Sequence, residues 1–238
     1  MLCGKIRSIS GSDYGGLGQR SIVFCGIVFQ GAADEIGIRL SDTGESARFF
    51  TASGELTEAE TQLLIARTLL EMGEKRLFLP DDATPAIEPL AHRHRAQTER
   101  IPGDPSQWAA QTARLVPMQL ALHTDGIAAS LQILAMLNRQ HISLDDHRRT
   151  SPPAVRSRRV IDIPDENRAH ALQKLNELLR PDTPGRFKFV RGDAHAWILP
   201  SADDGKCTVL AESADAETAR ELCDFYESIL RQAAGSHP

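Results

Sequence analysis

The chain has little of what identifies a nucleic-acid surface, a disulfide-stabilised fold or a membrane protein. Aromatic residues make up 5% of its 238 residues, so a base-stacking surface for single-stranded nucleic acid is not evident. The four cysteines form no CxxC pair and show no zinc-finger spacing, which indicates free thiols. The N-terminus has no hydrophobic signal segment, and no window approaches the roughly 18 apolar residues of a membrane span. These absences predict a cytoplasmic protein without membrane contact.

Motifs of the common catalytic and metal sites are also missing. The sequence contains no GxSxG elbow, HExxH helix or DxDxDG loop. His92 and His94 form an HxH pair, but Arg93 and Arg95 beside them would repel a cation, so we expect this pair in a solvated loop. The sequence therefore predicts no metal and no cofactor, although a catalytic site assembled from residues far apart in sequence would leave no such signal.

Two stretches of the chain, one from Val28 and one from Phe189, follow the same plan. Each has the pattern of a strand, a Gly turn, a strand, an acidic Gly turn and a strand, followed by a helix that opens on Ala-Glu-Thr. Gly44 in the first stretch corresponds to Gly205 in the second. Identity is otherwise low, so chance similarity remains an alternative to a true repeat. We predict an α+β fold of two antiparallel β-β-β-α modules, which form an internal pseudo-repeat if the similarity is real.

The chain divides by pattern into four parts. A capping box at Thr57 and Glu60 predicts the helix of the first module, and Pro117 is expected to kink the first helix of a central helical hairpin. A charged run with two adjacent prolines is typical of a linker. The predicted parts are a strand-rich α+β module over 1–80, a loop plus the helical hairpin over 81–144, an Arg/Pro-rich linker over 145–159, and an α-β-β-β-α module over 160–238.

A glycine-rich segment near the N-terminus, GSDYGGLG, starts at Gly11. Exposed backbone amides in such a segment can converge on an oxyanion. Phosphate loops usually lead into a helix, whereas an apolar strand pattern follows here. A flexible hairpin turn is therefore the favoured interpretation, and a ligand loop is the alternative. The residues of that candidate loop are Gly11, Ser12, Asp13, Gly15 and Gly16.

The predicted linker carries five arginines and no acidic residue between His147 and Val160, in a chain whose net charge is −5. Guanidinium groups suit phosphate and carboxylate contacts because they donate in a bidentate fork. The segment could bind nucleic acid or an acidic partner, or its arginines could be solvated or paired with the flanking acidic modules. The candidate anion- or partner-binding residues are Arg148, Arg149, Arg156, Arg158 and Arg159.

Two related α+β modules build binding surfaces more often than they encode one reaction. The sequence therefore favours a non-catalytic, chaperone-like adaptor or regulatory protein whose partner is another protein. One alternative is an enzyme of unrecognised family with a site between the modules. The other is a nucleic-acid-associated protein that uses the arginines of segment 147–159.

Overall fold

A computed structural model describes residues 29–30, 35–51, 53–101, 105–181, 187–201 and 205–235. The chain forms two compact units that are interleaved in sequence. The first comprises the described residues within 29–78, 85–99 and 109–151, and the second comprises those within 79–84, 100–108 and 152–235. Both helices and antiparallel strands are present, which confirms the α+β prediction.

The first unit contains an antiparallel sheet and the helix that follows it. Its strands, in spatial order, are β1 (Phe29–Gln30), β2 (Glu35–Leu40), β3 (Ala47–Thr51) and β4 (Gly54–Glu55). Helix α1 (Glu58–Glu71) begins at the predicted capping box, where Thr57 accepts from the Glu60 backbone and Glu60 from the Thr57 backbone. Its apolar side chains are buried, as the helical spacing predicts.

Strands β5 (Arg76–Pro80) and β6 (Gln97–Ile101) pair in a two-stranded sheet, and helix α2 (Ile87–Arg93) lies between them in sequence. The polar run that includes His92 and His94 therefore ends a helix and leads into a strand, instead of forming a solvated loop. The strand is half-exposed and polar, so it lacks the alternation of apolar residues by which strands are recognised. His94 Nε2 lies 4.0 Å from a carboxylate oxygen of Glu71.

Four further helices follow: α3 (Pro105–Leu115), α4 (Pro117–Thr124), α5 (Gly126–Gln140) and α6 (Leu144–Thr150). The predicted kink at Pro117 is a full break between α3 and α4. Val116 leaves the helical region (φ −140°, ψ 70°), and Pro117 becomes the first residue of α4, a position where the missing N–H is not needed.

Helix α5 starts in close contact with the sheet of the first unit. The Gly126 amide donates to the Gly44 carbonyl at 2.8 Å, and Asp125 caps the helix through two backbone amides. A Cβ on Gly126 would lie 2.5 Å from the carbonyl carbon of Ser46 and 2.6 Å from its oxygen. Only glycine permits this approach.

The second unit is built on a four-stranded antiparallel sheet of order β7-β10-β9-β8. Its elements are β7 (Val155–Asp162), α7 (Asp165–Leu179), β8 (Phe187–Arg191), β9 (Ala194–Pro200), β10 (Lys206–Ser213) and α8 (Ala216–Ala233). One face of the sheet packs on both helices, with Ile161, Ile198 and Val209 in the shared core. Asp215 caps α8 through the Thr218 amide, and Phe225 on that helix is 57% exposed.

The segment 145–159, expected to be a linker, contains most of α6 and the first half of β7. Only 151–154, with the two prolines, lie between these elements. The charged residues that suggested a linker belong to a strand whose side chains alternate between the two faces of a sheet.

The internal pseudo-repeat is not confirmed. Gly44 and Gly205 both adopt positive φ, at 76° and 65°, and both segments run through antiparallel strands into a capped helix. However, β1 and β4 have two residues each, whereas β8 has five and β7 has eight.

No single helix among the described residues is long and apolar enough to cross a membrane. Helices α4 and α5 reach the required length and composition only when taken together, across a bend of 109°.

Candidate functional site: polar clusters on α6 and on the second sheet

The candidate anion-binding arginines divide between the two units. Arg148 and Arg149 lie in α6, in the first unit, and Arg156, Arg158 and Arg159 lie in β7, in the second. The five arginines therefore belong to two different elements and do not form one linker segment. The glycine-rich candidate loop, residues 11–16, lies outside the described residues.

Four of these arginines form ion pairs within their own unit. Arg148 Nε lies 3.0 Å from Glu60 Oε1 and Arg149 pairs with Asp146. In β7, Arg156 Nε lies 2.8 Å from Glu212 Oε2, and Arg159 contacts Asp224 and Glu227 of α8 at 3.0 and 3.5 Å. Their charge is thus largely balanced internally, which was one of the alternatives open from the sequence.

Arg158 differs from the other four. It has no ion pair within the described part of the chain, and its Nη2 lies 3.5 Å from Thr208 Oγ1. Its side chain is exposed on the sheet face opposite α7 and α8. Arg158 is therefore the residue of the candidate set whose charge remains available to an anion.

Two arginines hold the segment 80–84 in the second unit. Arg100 Nη1 donates to the carbonyls of Pro80, Asp81 and Ala83 at 3.3, 2.8 and 3.0 Å. Arg156 Nη2 donates to the remaining carbonyl, that of Asp82, at 2.8 Å. Four consecutive carbonyls are thus satisfied by guanidinium groups, which fixes the backbone of this turn.

Glu212 completes this arrangement, which we call the loop clamp (Arg100, Arg156, Glu212 and Thr84). Thr84 Oγ1 donates to Glu212 Oε1 at 2.6 Å, and Arg156 Nε donates to Oε2 at 2.8 Å. The side chains of Arg156 and Glu212 are 9% and 7% exposed. Because both carboxylate oxygens are engaged, Glu212 suits a structural ion pair better than acid–base chemistry.

The sheet face that carries Arg156 and Glu212 combines charged and apolar side chains, whereas the face under α7 and α8 forms the apolar core. Strand register places Arg158, Leu210, Trp197 and Lys188 in one row across the four strands. Lys188 Nζ lies 5.8 Å from the Trp197 ring centroid, and the His195 ring stacks on Trp197 at 5.9 Å. Trp197 is 1% exposed, and its Nε1 has no hydrogen-bond partner among the described residues.

A second polar cluster, in the first unit, joins α6 to the start of α1. Arg148 contacts both Glu60 and Ser53, and Ser53 donates to Asp145 at 3.0 Å. His147 is 3% exposed, and its Nε2 lies 3.3 Å from the Glu60 carbonyl oxygen. Burial lowers the pKa of His147, so the neutral imidazole is favoured in this site.

The cysteines in the described residues are buried and unreactive in character. Burial raises the pKa of Cys207 to about 12 and also raises the pKa of Cys223, so neither thiol is a nucleophile near neutral pH. No group of three or more His, Cys, Asp or Glu side chains that could hold a metal occurs in the described parts of the chain.

The known proteins to which this chain is similar are described as sugar-phosphate mutases. No family model matches the chain. The phosphoglucosamine mutase of Anaeromyxobacter dehalogenans (strain 2CP-C) is 24% identical over 172 residues, which is 72% of this chain and 36% of the mutase. A phosphoglucomutase/phosphomannomutase family protein from Burkholderia thailandensis has a similar structure, with a TM-score of 0.64 and 14% identity over 83% of this chain. Parafusin, a phosphoglucomutase from Paramecium, superposes with a TM-score of 0.52 and 12% identity over 85% of the chain.

The chain spans 46% of the length of each of these two structures and 36% of the curated mutase. At these identities the comparisons establish a phosphohexomutase-like fold. They contradict the prediction of a non-catalytic adaptor that works through protein–protein interaction, and they favour the enzyme alternative. The protein partner and the nucleic-acid partner considered from the sequence remain untested predictions.

Proposed function

We propose that this chain binds a phosphorylated hexose as part of a sugar-phosphate mutase. The observation that carries the proposal is the agreement between independent comparisons. A sequence relative and two structural neighbours, each similar over 72–85% of this chain, are all described as hexose-phosphate mutases. Fold alone does not specify function, so the proposal depends on this agreement together with the local chemistry.

The face of the second sheet that carries Arg158 and Lys188 supports the proposal chemically. A hexose phosphate needs cationic donors for its phosphate group, and a guanidinium group donates to phosphate in a bidentate fork. Arg158 is exposed and takes part in no ion pair among the described residues. We therefore assign Arg158 to the contact with the phosphate group. Arg156, two residues earlier on the same face, is held by Glu212 and serves the fold.

Phosphorus NMR tests the proposed chemistry directly, because phosphate on C1 and phosphate on C6 of a hexose give separate signals. The full chain would be incubated in turn with the 1-phosphates of glucose, glucosamine and mannose. Appearance of the matching 6-phosphate, absent with heat-denatured chain, is the expected result. Binding without conversion would restrict the proposal to hexose-phosphate binding, and neither binding nor conversion would refute it.

Arg158→Gln supplies the residue-level test, with Arg149→Gln as the matched control. Both positions are arginines of the same candidate set, but the Arg149 side chain is paired with Asp146 in the other unit. We expect R158Q to weaken phosphate-dependent binding and R149Q to leave it unchanged. Equal affinity in R158Q and the unmodified chain would remove Arg158 from the site.

A further inference from the structure

Helix α6 is held on the first unit by contacts that centre on one buried histidine. Both contacts are made to Glu60 at the start of α1. Arg148 donates to the Glu60 carboxylate, and His147 lies within hydrogen-bond distance of the Glu60 backbone carbonyl. Ser53 and Asp145 add one hydrogen bond. The helix begins at its own capping box, in which Ser143 and Asp146 cap each other's backbone amides.

The site of His147 suits a neutral ring and not a charged one. Its Nε2 can donate to the Glu60 carbonyl at 3.3 Å, and Ser151 Oγ lies 3.5 Å from the same nitrogen. Its Nδ1 is buried and has no hydrogen-bond partner among the described residues. Protonation would place a second N–H at Nδ1, where no described acceptor faces it, and would bury a positive charge.

The charged groups around His147 do not stabilise the positive charge of the protonated ring. Arg67 of α1 repels a positive His147, and the carboxylate of Glu60 attracts it. The Glu60 carboxylate is already engaged, since Oε1 accepts from Arg148 and Oε2 accepts from the Thr57 amide. The two acids on α6 are engaged as well, Asp145 with Ser53 and Asp146 with its cap and Arg149.

We propose that α6 is a pH-sensitive latch, which stays docked on α1 while His147 is neutral and detaches when His147 is protonated. The helix is the last element of the first unit, which ends at Ser151. Its release would therefore alter that unit at one end and leave α1 and the sheet in place. Among the seven residues of α6, Leu144 is the buried apolar side chain, so apolar contacts contribute little to holding this helix in place.

The direction of the effect follows from the proton balance. Burial and, to a lesser extent, Arg67 lower the pKa of His147 below the ordinary histidine value of about 6.5. The detached helix then binds a proton more readily than the docked helix, so docking is weakened as the pH falls below about 6.5. Below the lowered pKa of the docked form both states are protonated, and the effect levels off.

Amide hydrogen exchange on the full chain tests the latch, with segment 143–151 followed from about pH 7.5 to about pH 5 and corrected for intrinsic exchange. We expect protection of α6 to fall by up to about tenfold per pH unit below about pH 6.5, while α1 keeps its protection. His147→Gln retains a donor for the Glu60 carbonyl and cannot titrate, so its α6 should show no pH dependence. His123→Gln, which changes another histidine of the same unit, should leave the dependence of α6 intact.

Arg67→Gln provides a second measurement should H147Q fail to fold. Removing this positive neighbour raises the pKa of docked His147, so acid should open α6 less than in the unmodified chain. A pH-independent α6 in the unmodified chain would overturn the proposal. So would an unchanged response in H147Q, or exchange that rises equally in α1 and α6.

Discussion

Arg156 and Glu212 lie directly opposite each other on β7 and β10 and form an ion pair in which both side chains are more than 90% buried. The pair also reaches beyond the sheet, because Arg156 binds the Asp82 carbonyl and Glu212 binds the Thr84 hydroxyl. A buried pair of this kind contributes little relative to apolar residues of the same volume, but loss of one partner leaves an uncompensated charge. Its main role here is to fix the segment 80–84 on the sheet.

Replacing one partner of this pair should therefore be costly. We expect Glu212→Ala to lower the free energy of unfolding by about 3–5 kcal/mol, because Arg156 then remains buried without its counterion. The double variant R156M/E212L should recover part of that loss, because it removes the buried charge but also the hydrogen bonds to the Asp82 carbonyl and the Thr84 hydroxyl. Urea denaturation of the three proteins measures both effects, and a double variant as unstable as E212A would show that the charge is not the cause.

Gly126→Ala tests the close approach of α5 to the first sheet. In an exposed helix this change would stabilise the protein by about 1 kcal/mol. Here the added Cβ would meet the Ser46 carbonyl group at 2.5–2.6 Å, so we expect a loss of about 1–3 kcal/mol from overpacking.

Asn138→Ala, at an exposed position on the same helix, is the matched control and should be neutral or slightly stabilising. Thermal melts compare the two variants. Greater stability of G126A than of the unmodified chain would contradict the described contact.

Gln119 gives a third test, because its buried side chain pairs with the backbone of β5 in the manner of a neighbouring strand. The Phe78 amide donates to Gln119 Oε1 at 3.0 Å, and Gln119 Nε2 donates to the Phe78 carbonyl. Gln119→Met preserves the volume and removes both hydrogen bonds, which should cost about 1–3 kcal/mol. Gln140→Met, which removes an exposed hydrogen bond to Glu71, should have a much smaller effect in the same urea titration.

The helices and much of the sheet structure follow from local sequence signals, whereas the polar clusters do not. The capping box at Thr57 and Glu60 is a short-range pattern, and it is confirmed. The partners Thr84 and Glu212 are 128 residues apart, and no spacing relates them. The run from Val155 has the charges typical of a linker and follows two prolines. Ile161 is the buried apolar residue of this strand, so no alternation of apolar residues indicates it.

Isothermal titration of the full chain with glucose 1-phosphate, glucosamine 6-phosphate and mannose 6-phosphate tests the central claim most directly. Unphosphorylated glucose and inorganic phosphate are the reference ligands. The account predicts saturable binding of at least one hexose phosphate, tighter than both references and weakened by R158Q. No saturable binding up to about 10 mM, which is above the usual KM range of roughly 1 μM to 1 mM, would contradict it.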